Sequence, residues 1–331
     1  MIKVKKADFN KLSDKEINEW EFVIKNSSDA TVFHTYNWVK TIIEEESISC
    51  SVIIAYNSGK PVGVYPYFYK IRNFVLKNVI TGVFETPYGG PIFLDTTKMD
   101  AQYSSIKTQI KESTVIKSTI ILPPNYDIDA FRNLNFKITN KETLIIDLNK
   151  NEEILWNNLH SMKIRNIKKA LKNNVEVKFT GLEDIGEFHA MLESTYKRLG
   201  LSSPKPLDFY IKLFNAFKDN NTVKLLTAYR ENKPIASCIF LFFKDTIIYW
   251  QGASYEEFMK FAPNDLIHWS IIQEGAKMGY KKYNLLHFHD NKGKEIVSLK
   301  NYKMSFGAEL CNYYIVEREK KLFTFLKKMF N

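Results

Sequence analysis

The chain has 331 residues, of which 45% are hydrophobic, 14% aromatic and 25% charged, with 13 Gly and 10 Pro. That excludes disordered, collagen-like and low-complexity chains and leaves room for two domains. The 47 Lys+Arg against 37 Asp+Glu give a net charge of +10, which favours anionic partners: nucleic acid, phosphate-bearing substrates or an acidic membrane surface. No apolar run reaches the ~18 residues of a spanning helix, and the opening MIKVKKADFNKLSDKEINEW lacks a signal-peptide core. Cys50, Cys238 and Cys311 are far apart and without CxxC spacing, so neither a disulfide framework nor a cysteine zinc site is expected. These features imply a cytoplasmic protein.

In chain order, apolar spacing predicts a helix to about Lys25 and another over 37–46. The hairpin VIIAYNSGKPVGVYPYFY (52–69) follows, then a strand near 76–84, a helix over 101–113, and strands over 118–122 and 142–148. A domain joint is expected near Leu148–Glu152. Beyond it come a helix over 151–172, a strand over 175–179, helices over 182–199 and 206–218, and a second hairpin, LLTAYRENKPIASCIFLF (225–242). A strand over 246–253 precedes a helix that opens at Pro263-Asn264-Asp265 and stops at Gly279. A strand over 280–288, a short helix over 296–304 and a strand over 308–316 close the second half. The order β-α-α-β-β-β-α-β-α-β implies an α/β layer fold with a mixed sheet.

The two hairpins align without a gap and share Ala55/Ala228, Tyr56/Tyr229, Lys60/Lys233 and Pro61/Pro234. With the looser copy of the element order in the first half, this predicts a duplication into domains 1–149 and 150–316. Residues 317–331 (EREKKLFTFLKKMFN) place Leu322, Phe323, Leu326 and Phe330 on one helical face with lysines opposite. A helix packed on the first domain is expected there, with docking on an anionic membrane as the other reading.

The predicted helix 163–172 carries Lys163, Arg165, Lys168, Lys169 and Lys172 beside an apolar edge of Ile164, Ile167 and Leu171. It reads either as a solvated face or as a cationic wall for a nucleotide diphosphate, a lipid pyrophosphate or a tRNA backbone. Arg165 is able to bind phosphate bidentately, whereas Lys168 and Lys169 act as point charges. The helix beginning at Asn264 offers free N–H groups to an anion, against which the neighbouring Asp265 would act. In His287-Phe-His289-Asp290, alternation sets both histidines on one side of a strand end. No partnering ligands stand at metal-site spacing, so no metal is expected there; a packed or capping histidine is the default for either one, with a general base or substrate contact as the functional reading. No Ser/His/Asp signature or Walker loop occurs, which leaves hydrolase and NTPase readings without support.

Three stretches carry a family resemblance: Lys163-Ile-Arg-Asn-Ile-Lys-Lys-Ala170 after the joint, Ala262-Pro-Asn-Asp-Leu-Ile-His-Trp269 with Ala276 and Gly279, and Tyr302-Lys-Met-Ser-Phe-Gly307. Phe33-His-Thr-Tyr-Asn-Trp38 and Thr86-Pro-Tyr-Gly-Gly-Pro91 add to them. Together with the element order they resemble the tandem-GNAT FemABX and BioF2-like acetyltransferase group. The resemblance implies two tandem GNAT-like domains, each a mixed twisted sheet flanked by helices, with the active cleft in the second. It sets Lys303 beside the reaction centre as a stabiliser of the oxyanion formed in acyl transfer. It also sets His287 or His289 where a proton is taken, Tyr249-Trp250-Gln251 where the donor enters, and Tyr88 on an acceptor-side loop.

Two departures stand out: the [RQ]-x-x-G-x-[GA] pyrophosphate loop of acyl-CoA enzymes is absent, and residues 200–220 are too short for a two-helix arm. The donor is therefore open between acyl-CoA, aminoacyl-tRNA and a carrier protein. The expected function is N-acyl or aminoacyl transfer to the amine of an amino-sugar or peptide precursor of the cell envelope. The expected partners are a phosphate-bearing acceptor, tRNA as a donor carrier, and the membrane's inner face. The alternative is a non-catalytic GNAT duplication that binds RNA or an anionic glycan, whose binding would fall steeply with salt.

Overall fold

Both copies of the repeated hairpin close through a two-residue turn with positive φ at each residue, Ser58-Gly59 in one and Glu231-Asn232 in the other. Such turns match the right-handed twist of the strands they join. The computed structural model describes residues 2–46, 48–72, 76–81, 86–94, 98–112, 114–287 and 294–320. The chain forms two compact units, Met1–Glu142 with Asn312–Asn331, and Thr143–Cys311.

In the first half the elements are β1 (Ile2–Asp8), α1 (Asp14–Asn26), α2 (Tyr36–Glu46), β2 (Ser49–Asn57), β3 (Lys60–Arg72), β4 (Leu76–Ile80), β5 (Ile92–Phe93), α3 (Lys98–Lys111), β6 (Val115–Ile121), α4 (Asp129–Asn133) and β7 (Lys137–Asp147). The second half has α5 (Glu152–Asn157), α6 (Ser161–Lys172), β8 (Glu176–Thr180), α7 (Ile185–Arg198), α8 (Leu207–Ala216), β9 (Val223–Arg230) and β10 (Lys233–Phe243). It continues with β11 (Thr246–Ser254), α9 (Pro263–Lys277), β12 (Lys282–His287), α10 (Lys294–Met304) and β13 (Glu309–Glu319).

The sheet of the first unit runs β1-β2-β3-β4-β6-β13, antiparallel except for the parallel pair β4/β6. The sheet of the second runs β8-β9-β10-β11-β12-β7 and is antiparallel except for β11/β12. The duplication extends to irregularities. Val62 in β3 and Ile235 in β10 are the extra residues of a bulge three positions after the last residue of the hairpin turn. The shared Tyr56/Tyr229 and Pro61/Pro234 face each other across that bulge, so the sequence repeat marks its most constrained geometry.

The closing strands are exchanged. β7, which follows the first half's elements, lends Thr143–Asp147 to β12, and β13 lends Ile315–Glu319 to β6. The unit boundary therefore falls at Glu142/Thr143 rather than near 148–152, and the second unit ends at Cys311 rather than 316. Glu317, Arg318 and Glu319 are strand residues opposite Thr119, Ser118 and Lys117, which corrects the helix expected from 317 onward. Leu322, Phe323, Leu326 and Phe330 lie outside the described residues.

The single helix expected over 151–172 is two. Asn151 caps α5 through Ile154 N, and the chain breaks before α6, which His160 caps by accepting from Met162 N at 3.2 Å. The break is imposed by the turn after α10. His160 N bonds Ser305 O at 2.9 Å, and Gly307 (φ 82°) comes so near Asn158 that a Cβ would lie 3.0 Å from it.

In the first unit, the loop Thr86–Pro91 fills the gap beyond the last β4/β6 pair. Gly89 N donates to Ile121 O at 2.7 Å, and Ile121 N donates to Thr81 Oγ1 at 2.6 Å. A Cβ on Gly89 would stand 2.7 Å from Thr81 Cγ2, and Gly90 (φ 111°) lies against Leu122. The second unit's core is built from Ile167, Phe240, Ile247, Ile271 and Tyr283 among others.

Candidate active site

In the second unit, β11 and β12 pair from Thr246/Lys282 to Ile248/Asn284 and then part. Two features separate them. β11 carries a bulge at Trp250, since Tyr249 faces Phe240 and Gln251 faces Ile239. β12 turns at Leu286, whose φ of 60° is left-handed, and Leu286 N bonds the Asn284 side-chain oxygen at 2.8 Å. A non-glycine residue in that region costs roughly 1–2 kcal/mol, and such strain gathers at sites of function.

Lys303, in the last turn of α10, reaches this bend: its ammonium donates to Leu285 O at 2.7 Å and the residue is only 6% exposed. Burial pulls its pKa down to about 8. Beside it lies a buried ionic network. Lys163 of α6, 1% exposed, meets Asp265 Oδ1 at 2.5 Å, and Asn166 donates to the other carboxylate oxygen at 2.7 Å. The Lys163 ammonium sits 3.5 Å from the Tyr302 ring centroid and 4.4 Å from that of Phe306, so it also holds the two rings that bracket Lys303. Burial lowers the Lys163 pKa, against the opposing pull of Asp265.

His268 of α9 is buried between Tyr249 (4.8 Å) and Phe306 (4.7 Å), and its Nδ1 shares a 2.6 Å hydrogen bond with the Tyr283 hydroxyl. Burial first, and then the charges of Lys163 and Lys303, push its pKa down to about 3. It is a neutral ring at physiological pH.

Of the residues singled out in sequence, Tyr249 lies in this cluster with Lys303. Trp250 points to the opposite face of the sheet and packs on Phe209 and Tyr210 of α8 at 6.3 and 6.2 Å. Gln251 is 7% exposed, and neither its amide nitrogen nor its amide oxygen has a hydrogen-bond partner; a buried amide in that state awaits a ligand or water. Asn264 donates to Ser254 Oγ at 3.3 Å at the start of α9, whose N-cap, Ala262 (φ 56°), supplies no side-chain bond. Asp265, expected to oppose an anion there, is instead engaged by Lys163 and Asn166.

Arg165, Lys168 and Lys169 are exposed on the outer face of α6, so the structure does not bring them to the buried network that Lys163 joins from the inner face. Tyr88 belongs to the first unit, where it is fully buried against Phe33 and Tyr313. His287 ends β12, and His289 lies outside the described residues. Among the described residues, no group of three or more His, Cys, Asp or Glu is placed to hold a metal ion. Sequence reading missed Lys163, Asp265 and His268 as a unit. The available signal was spacing: Lys163 shares a helical face with Ile167 and Ala170, and Asp265 with His268 and Ile272.

Residues 161–304, the stretch that holds this network, match the family model described as acetyltransferase (GNAT) domain. Aminoacyltransferase FemA of Staphylococcus aureus is 22% identical over 237 residues, covering 51% of this chain and 56% of FemA. The chain thus spans about half the length of the curated relatives it matches. The crystal structure of FemX matches with a TM-score of 0.74 at 14% identity, over 94% of this chain and 96% of that one. The C-terminal domain of a putative lysylphosphatidylglycerol synthetase from Agrobacterium fabrum matches at 0.61 and 9% identity, over 91% of each chain. The fold is that of tandem GNAT proteins. In its domain match, its listed relative and its fold the chain is similar to FemABX-like GNAT proteins.

Proposed function

We propose that the protein transfers an acyl or aminoacyl group to the amine of a cell-envelope precursor, with the second unit as its catalytic part. The observation that carries this reading is Lys303: a buried cation held on Leu285 O where β11 and β12 part. In such transfer the acceptor's neutral amine attacks the donor carbonyl, the carbonyl oxygen gains charge, the thioester sulfur or ribose oxygen leaves, and the amine gives up a proton. A fixed ammonium in a water-poor setting stabilises that developing oxyanion. Holding the amine against the carbonyl supplies the rest. The unpaired Gln251 amide offers two N–H donors and a carbonyl acceptor to a bound substrate. His287 or His289 takes the proton in this reading, and Asn264 contributes to the donor's anion site at α9.

FemA is named an aminoacyltransferase, and a synthetase of lysylphosphatidylglycerol shares the fold. These names support an envelope acceptor and leave acyl-CoA and aminoacyl-tRNA both in play as donors. The test incubates the protein with a radiolabelled peptidoglycan precursor and, in parallel, acetyl-CoA or a mixture of aminoacyl-tRNAs. Label moving to an amide-linked product with one donor supports the proposal; no product with either donor refutes it. Because Lys303 loses its charge as pH rises through about 8, turnover should fall above that pH after rising with deprotonation of the acceptor amine.

A further inference from the structure

The sequence of α6, SMKIRNIKKALK, contains no acidic residue. Lys163 points inward to Asp265, and the other cations, Arg165, Lys168, Lys169 and Lys172, are all exposed. None of the four forms an ion pair with a described residue. At 100° per residue they occupy one outward arc of a helix about 18 Å long. Met162 and Leu171 border that arc on its two sides and are 41% and 55% exposed. A solvated helix face normally interleaves acids with its bases and does not border them with large apolar side chains.

We infer that the outer face of α6 docks on an anionic lipid bilayer, its four cations meeting headgroup phosphates while Met162 and Leu171 enter the interfacial layer. Charge complementarity names the kind of partner, and the two apolar side chains choose between anionic partners. A face for single-stranded RNA relies on aromatic stacking platforms and arginine forks, and one for duplex RNA on phosphate and 2′-OH contacts with no apolar border, whereas this face has three lysines, one arginine, no aromatic ring and two large apolar side chains at its edges. A bilayer surface accepts lysines as point charges and rewards apolar burial at its boundary. The network of Lys163 lies on the opposite side of the same helix, so docking would set the outer face of α6 on the membrane without occupying the buried site. An acceptor anchored in lipid would then need to travel little, a consequence that rests on the function proposed above. The docking itself does not.

The test is co-sedimentation of the full chain with vesicles of phosphatidylcholine alone or with about 30% phosphatidylglycerol, at about 0.1 M salt. No donor or acceptor is needed, so the outcome is independent of the proposed chemistry. Partitioning at least tenfold stronger onto the anionic vesicles is expected. Replacing Lys168, Lys169 and Lys172 together by Glu should weaken it by more than about a hundredfold, since loss of each cation near the surface costs about fivefold and each new carboxylate adds repulsion. Met162→Gln with Leu171→Gln should remove the part of the binding that survives high salt. Circular dichroism checks that each variant is folded, and Lys169→Glu alone stands in for the triple variant if that one is not. Equal partitioning on both vesicle types, or binding unchanged by the charge reversals, overturns the proposal. So does binding of an RNA hairpin at the same salt by a protein that stays in the supernatant when the anionic vesicles pellet.

Discussion

The two units share strand order, hairpin turn and bulge, and differ in what lies at the parallel strand pair. In the first, the gap beyond β4 and β6 is filled by Thr86–Pro91, pinned through Gly89 N to Ile121 O. In the second, β11 and β12 part after Ile248/Asn284, and Lys303 stands at the bend of β12. The buried polar groups differ in the same sense. Under α3 of the first unit lie Gln102, Ser105 and Gln109, all but completely buried, with the Gln102 and Gln109 side-chain oxygens and the Ser105 hydroxyl unpartnered. Under α9 of the second unit lie Asp265 and His268, joined by Lys163 from α6. One scaffold thus supports two settings: uncharged polar groups on the buried face of α3 behind a closed gap, and a buried ion pair beside a parted strand pair. In the proposed function chemistry falls to the second, because a developing charge needs a fixed charge near it.

The largest expected effect comes from cutting the chain at the boundary that the sequence suggests. Fragments 1–149 and 150–316 each lose a closing strand of their sheets and leave β6 or β12 as a bare edge. Neither fragment should give a cooperative thermal transition by circular dichroism, and an isolated 150–316 that melts like the whole chain would show that the exchange of β7 and β13 is dispensable.

Next is the ionic network. Lys163→Ala leaves Asp265 buried without its partner and should cost about 3–5 kcal/mol in chemical denaturation. Lys163→Met with Asp265→Leu should regain most of that stability. A single variant as stable as the wild type would mean that Asp265 is not buried as a charge.

Glycines sharpen the contrast between the gaps. Gly89→Ala sets a Cβ 2.7 Å from Thr81 Cγ2 and should destabilise by about 1–3 kcal/mol, since the pinned loop has no room to shift. Gly252→Ala meets the Tyr249 hydroxyl first, at the end of a side chain. It should lower the melting point less and disturb activity more. Equal effects on stability and activity at the two positions would erase the distinction between plug and cleft.

Ser105→Ala carries the smallest effect. It removes a buried hydroxyl that has no partner and should raise stability by about 0.5–1 kcal/mol. A loss of similar size would mean that the hydroxyl is bonded to internal water.

Much of the fold was legible because its signals are local. Both hairpins, the start of α9 at Pro263 and the alternation of helices and strands are written in turn residues and apolar spacing. β1 is hidden in sequence because the alternation Ile2-Lys3-Val4-Lys5 ends at Lys6, which falls on the apolar side, and its partner, β2, is some fifty residues away. The exchange of β7 and β13 has no local signal at all, since either strand satisfies the same pattern in either sheet. At the site, motif resemblance marks Lys303, whereas in sequence Lys163 is one cation among five on a helix. Its inward direction is visible only as a helical offset of two residues from Arg165, and its partner lies on another helix. Gln251 was named by position on its strand, but an unpaired amide is a property of packing.

The central claim is that Lys303 supplies charge to the transition state in the second unit. The direct test is the turnover number and KM of Lys303→Ala with whichever donor the wild type uses. The account predicts that kcat falls by about a hundredfold or more while KM changes little. An unchanged kcat would remove Lys303 from the chemistry and contradict the account.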